Sequence, residues 1–198
     1  MHNVVWTALL LLTACGSAPA PEAPAPAPPA PAEAAPEPAA EPAAGDLARG
    51  DDADRKSKNG EATVKVGDVD VTVTYGRPEA RGREVFGKLV PYGKLWRTGA
   101  DEATVLTVSG DVKLGDTPVK AGSYALFTVP GEDEWTIVLN SQAKQWGSYD
   151  HDKSKDVAKA KAKPGKAPMT EAFTIEPHDG TLYLQWAEVR VPVPLSAP

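Results

Sequence analysis

The chain has 198 residues, 20 of them proline, and a formal net charge of −6. Ten of those prolines fall between Pro19 and Pro42, in a stretch of almost nothing but Pro, Ala and Glu that can neither bury a core nor build a sheet. About 138 residues, Glu61 to Pro198, are left for one domain with one core, which excludes a two-domain enzyme, a polytopic membrane protein and a disulfide-stapled mini-protein.

At the N-terminus, Val4 to Leu12 (VVWTALLLL) is an apolar run too short to span a bilayer but suited to the h-region of a signal peptide. Leu12-Thr13-Ala14-Cys15 follows and resembles the lipobox of bacterial lipoproteins, in which the cysteine is lipidated and becomes the new first residue. The resemblance implies an exported protein whose signal is residues 1–14 and whose membrane partner is the lipid on Cys15. Gly16 rather than Asp after the cysteine resembles lipoproteins sorted to the outer membrane, facing the periplasm or the cell surface. Cys15 is the only cysteine, so it can make no internal disulfide, and a zinc site would need further ligands clustered with it.

Residues 15–60 read as a disordered tether. Its Pro/Ala/Glu part favours extended polyproline II, and some 25 such residues would reach on the order of 75 Å. Gly45 to Gly60 (GDLARGDDADRKSKNG) reads as a flexible, charged continuation. The first 60 residues carry four basic and eight acidic side chains, leaving 17 and 19 for residues 61–198. The folded part is therefore nearly balanced, which argues against a nucleic-acid partner.

From Glu61 onward the pattern is all-β. Ala62 to Val66 and Val69 to Tyr75 alternate apolar and polar around a Gly67-Asp68 turn, a hairpin signature. Further strands are expected at Ala103–Val108, Asp111–Leu114, Ser123–Val129, Trp135–Leu139, Glu171–Ile175 and Thr181–Val193. Asp156 to Lys163 (DVAKAKAK) suits an edge strand whose lysines deter pairing with another chain, and equally a short surface helix. An antiparallel, jelly-roll-like β-sandwich over residues 61–198 is the expected architecture, with Pro192 and Pro194 marking an edge or an ending.

The stretch Tyr75 to Thr104 (YGRPEARGREVFGKLVPYGKLWRTGADEAT) closely resembles the signature of a bacterial family, domain of unknown function 2911. The likeness continues through Lys120 to Pro130, Glu134-Trp135-Thr136, Trp146-Gly147, Tyr149-Asp150 and Leu184-Gln185-Trp186. One departure is Asp101, where the family pattern often carries Asn. The resemblance implies an exported single domain, often lipid-anchored, and it implies no reaction.

Familiar catalytic and cofactor patterns are absent or incomplete. Gly82 to Leu89 nearly matches a phosphate-binding loop but ends in Leu89 where a hydroxyl would hold Mg²⁺. Asp150 to Asp156 hints at a calcium loop, but Lys155 stands where the sharp turn needs Gly and Lys161 where a bidentate Glu is required. No metal and no cofactor is expected. There is no G-x-S-x-G and no H-E-x-x-H, and His151 and His178 sit in apparent exposed loops. The six lysines from Lys153 to Lys166 read as a solubilising surface.

What remains is a cluster of Tyr75, Arg77, Arg81, Arg83, Tyr92, Trp96, Arg97, Asp101 and Glu102 in a Gly/Pro-punctuated loop region. Guanidinium forks bind carboxylate or phosphate, and aromatic faces stack on sugars, so the cluster suits a small anionic or glycan-like envelope ligand. The structural alternative is that Arg77 and Arg97 pair with Asp101 or Glu102 and pin a long loop, with Trp96 in the core. The function expected is non-catalytic binding or envelope interaction. The alternatives are a hydrolase-type enzyme using Glu102, Asp101 or His178, and a purely structural lipoprotein.

Overall fold

A computed structural model describes residues 49–198; residues 1–14, read from sequence as a signal peptide, Cys15 and the Pro/Ala/Glu run lie outside the described residues. Eleven strands follow in chain order: β1 (Lys58–Val66), β2 (Val69–Arg77), β3 (Thr104–Val108), β4 (Val112–Leu114), β5 (Thr117–Val119) and β6 (Gly122–Val129). β7 (Trp135–Asn140), β8 (Asp156–Ala162), β9 (Gly165–His178), β10 (Thr181–Val193) and β11 (Leu195–Ser196) complete the set. The described residues contain no α-helix, only one turn of 3₁₀-helix at Lys153–Lys155.

Six strands form one sheet in the order β1-β2-β3-β6-β7-β8, every neighbour antiparallel. The period-2 pattern of β1 and β2 sets their register: Ala62 faces Val73 and Val64 faces Val71 on the buried side, while Thr63 and Thr72 bond hydroxyl to hydroxyl on the outer side. The hairpin β9–β10 and the small sheet β11-β4-β5 form the opposing layer, so the domain is an antiparallel β-sandwich. Asp179 and Gly180 both adopt positive φ (46° and 75°) at the tip of β9–β10, the backbone a tight primed turn requires.

Between the layers lies an aromatic centre. Phe86, Trp96, Trp135, Phe173 and Trp186 meet mostly edge to face at centroid distances of 5.0–6.4 Å, and Trp96 stacks on Trp186 at 5.8 Å. A register shift in β10 around Trp186 accompanies its burial, and its indole N–H donates to the Glu171 carbonyl at 3.0 Å. The central strands are also buried on their outer face, where Leu95, Ala103, Ala125, Phe127 and Val138 make a second, smaller core. That double burial explains the mostly apolar composition of β6.

The structure departs from the expectation in several places. Order begins before Gly60: β1 starts at Lys58, and residues 49–57 are bonded to the domain instead of continuing the tether. The short strands β5 and β11 were not anticipated, and β9 spans Gly165–His178 rather than Glu171–Ile175, because its first half is mostly exposed and carries no alternation. Asp156–Ala162 is a strand at the sheet edge, with Lys161 paired to Glu134 and Lys159 to Asp156.

Trp135→Ala should remove a fully buried ring of the aromatic centre and cost about 3–5 kcal/mol. Urea unfolding should show the loss as a lower midpoint at unchanged slope.

Candidate functional site

The 26-residue connection between β2 and β3, residues 78–103, must satisfy its own backbone, and it does so by docking on both layers. Glu79 forms a bridge with Ala172 of β9, and Trp96 exchanges backbone hydrogen bonds with Thr128 of β6 at 2.7 and 2.9 Å. Beyond Trp96 the chain turns sharply, with Thr98 and Asp101 at φ 55° and 61°. Here it lies directly against β2: a Cβ on Gly76 would sit 2.4 Å from the Ala100 carbonyl oxygen. Only glycine at position 76 admits this approach.

This loop and the segment before β1 enclose a half-open cleft of about 450 Å³. Trp96, Trp186 and Val90 contribute apolar lining, and Lys56, Arg81, Arg83, Arg97, Glu79 and Asp101 contribute its charges. Several of these are already engaged. Arg81 pairs with Glu79 at 3.0 Å, and Arg83 donates to the Ala80 and Glu79 carbonyls at 2.9 and 2.7 Å. Arg97 is not: its Nε is buried without a partner, and the side chain makes no hydrogen bond or ion pair with any described residue.

The carboxylates near Arg97 are held by other arginines. Glu102 accepts a bidentate pair from Arg55 at 2.7 and 2.5 Å and a further contact from Arg49 at 2.9 Å. Arg49 is itself almost fully buried and also donates to the Ala100 and Glu102 carbonyls and to Asn59. Asp101 lies 3.6 Å from Arg55. The hydrogen bonds from Arg55 hold the Glu102 carboxyl down at about 2. Residues 49–57 thus form a strap, clamped through one carboxylate, and Lys56 and Ser57 of that strap line the cleft.

The nine residues singled out by sequence divide accordingly. Arg81, Arg83, Trp96, Arg97 and Asp101 line the cleft. Tyr75 does not; it is buried in β2, edge-on to Phe173, and its hydroxyl accepts from the Ile175 N–H at 2.8 Å. Arg77 ties β2 to β9 through the Phe173 carbonyl and the Thr174 hydroxyl. Tyr92 is exposed outside the cleft, and Glu102 is consumed by the clamp. The anticipated pairing of Arg77 and Arg97 with Asp101 or Glu102 does not occur, because Arg49 and Arg55 reach those carboxylates first. Trp96 is a core residue and cleft lining at once.

The family described as protein of unknown function (DUF2911) matches residues 57–195. The chain belongs to this family. Neither the search of curated proteins nor that of solved structures found a match.

Within the DUF2911 domain, the remaining sequence candidates resolve as follows. Gly82 to Leu89 is a series of turns closed by Leu89 N–H to Glu84 and Gly87 N–H to Val90, without the helix that a phosphate-binding loop feeds. Among the described residues no group of three or more His, Cys, Asp or Glu is placed to hold a metal ion. His178 is exposed beside Asp179 at the hairpin tip. His151 corrects the expectation of an exposed loop: its side chain is only 8% exposed, packs edge-on against Phe127 and bonds to Asp156 at 2.7 Å. Asp156 is further held by Asn140 and Lys159, so the pair belongs to the fixing of β8.

Glu102 stays charged in the fold where it would protonate in the unfolded chain, so its stabilisation is complete above about 4.5 and is lost as pH falls through about 2. Glu102→Gln should flatten much of the fall in melting temperature over that window, leaving the share owed to Asp156, whose carboxyl is also lowered. At neutral pH the same variant should free the strap, and trypsin cleavage after Arg55 or Lys56 should rise several-fold.

Proposed function

We propose that the protein is a lipid-anchored bacterial envelope module whose domain binds a small anionic ligand in the cleft at Arg97, without chemistry. The observation that carries this reading is the state of Arg97: a guanidinium lining a cleft, its Nε buried and unpartnered, while neighbouring carboxylates are claimed by the clamp. A buried charged donor left unsatisfied is costly, and an anion entering the cleft would remove that cost. The electrostatics point the same way. Lys56 and Arg83 add positive charge that no carboxylate among the described residues neutralises. Glu102, held ionised by two guanidiniums, suits a structural clamp better than a proton carrier.

Anchoring rests on the sequence Leu12-Thr13-Ala14-Cys15, which supports attachment through a lipid on Cys15, with the Pro/Ala/Glu run as the spacer between membrane and domain. Export to the bacterial envelope, with the domain held off a membrane surface, follows from that anchor.

Two measurements test the reading. Titrating the full-length protein with inorganic phosphate and with acetate should give saturable heats that Arg97→Ala reduces at least tenfold. Its melting temperature should hold or rise, because the side chain it removes makes no hydrogen bond or ion pair with any described residue. Equal affinity in the variant would overturn the site. Separately, Cys15→Ser should abolish incorporation of labelled fatty acid and move the protein out of the membrane fraction.

A further inference from the structure

Beside the Arg97 cleft lies a second hollow of about 360 Å³, lined by Asp54, Arg55, Lys56, Asp101 and Trp146. The two share Lys56 and Asp101 in their linings, so they are neighbours on the same strap and loop. Trp146 is 60% exposed, the only exposed tryptophan among the described residues. It is nonetheless held firmly at the backbone. Its neighbours bond to the loop that carries the cleft, Ala103 N–H to the Gln145 carbonyl at 3.0 Å and Gly147 N–H to the Asp101 carbonyl at 3.1 Å, and Trp146 itself forms a bridge with Glu102. The Gln145 amide adds bonds to Asn140 and to the Gln142 carbonyl.

A large indole displayed to water on a pinned backbone is costly to leave uncovered and loses little freedom when something covers it. Its surroundings decide what kind of molecule that is. A peptide or lipid would need a broad apolar surface, yet the indole is ringed by Asp54, Arg55, Lys56 and Asp101, which offer carboxylate acceptors and cationic donors. A pyranose fits this combination: its C–H face stacks on an aromatic ring while its hydroxyls, spread around the rim, hydrogen-bond to carboxylates and cations. The neighbouring cleft, which shares Lys56 and Asp101, is lined by Arg97, the proposed anion site.

We infer that the ligand is an acidic saccharide, stacking a sugar ring on Trp146, engaging Asp101 and Lys56 through hydroxyls, and directing a carboxylate or phosphate to Arg97. The inference deepens the proposed anion-binding reading and rests on it.

The test titrates the full-length protein in detergent with digalacturonate, glucose 6-phosphate, maltose, AMP and inorganic phosphate, following Trp fluorescence and heat. The uronate or the sugar phosphate should bind at least tenfold tighter than either maltose or inorganic phosphate, and which of the two wins identifies the anionic group. Trp146→Ala should lower that affinity at least fivefold and leave inorganic phosphate unchanged, whereas Arg97→Ala should weaken both. If inorganic phosphate binds through Arg97 but Trp146→Ala leaves the acidic sugars unaffected, the saccharide inference falls and anion binding stands. Tighter binding of maltose or of AMP than of either acidic sugar also overturns it. Absence of any anion binding removes both readings.

Discussion

The carboxylate of Glu102 is the point on which the cleft turns. It sits on a loop driven against β2 at Gly76, and it gathers two guanidiniums from a segment about fifty residues earlier in the chain. An exposed ion pair contributes little, but this one is bidentate to Arg55, and it carries a second arginine that is almost wholly buried and also bonded to two carbonyls. Removing Glu102's charge would leave Arg49 as a desolvated cation with only carbonyls and Asn59 for company, the arrangement that makes broken buried pairs costly. The clamp has a second consequence. Arg49 and Arg55 take up the Glu102 carboxylate, and Arg97 lines the cleft without an ion pair among the described residues.

The aromatic centre supplies the rigidity that this arrangement needs. Trp96 belongs to the β2–β3 loop, Trp135 to β7, and Phe173 and Trp186 to the opposing hairpin, so one cluster of rings joins the loop to both layers. Its indole N–H closes the turn by donating to the Gly99 carbonyl at 3.1 Å, three residues on. The residue after Trp96 is Arg97, so the position of that guanidinium is inherited from the best-packed part of the domain. A site on a loop is ordinarily less exact than one on a strand; here the loop borrows the precision of the core.

Much of this was legible in the sequence, and the reasons for the rest are physical. The alternation in Val69–Tyr75 and the apolar-rich run of Tyr124–Val129 gave strands because burial on one or both faces leaves a trace in the sequence. The first half of β9 leaves none, since its residues are mostly exposed on both sides, and β5 is only Thr117-Pro118-Val119. The loop cluster was visible as a density of arginines and aromatics, but side-chain direction was not: Tyr75 falls on the same face as Val71 and Val73, a period-2 argument that already pointed it into the core. The strap escaped notice because Arg49 and Arg55 stand in a run of Gly, Asp and Lys whose composition is that of solvated linker. Ion pairs across such sequence distances leave no pattern in one chain. His151 could have been found. The doubly apolar β6 and β7 require a cover on the outer face of the sheet, and the loop carrying His151 is one of the segments that supplies it.

Residues 49–57 follow the Pro/Ala/Glu run after four residues, 45–48, and the same strap supplies Lys56 and Ser57 to the wall of the cleft. If the cleft takes the proposed ligand, docking of the strap and filling of the cleft are linked equilibria, and linkage is reciprocal. A ligand that contacts Lys56 favours the docked strap by the same free energy with which the docked strap favours the ligand. Acid acts on the same equilibrium from the other side: protonating Glu102 releases Arg49 and Arg55 together, so the wall of the cleft and the root of the tether come free in a single step.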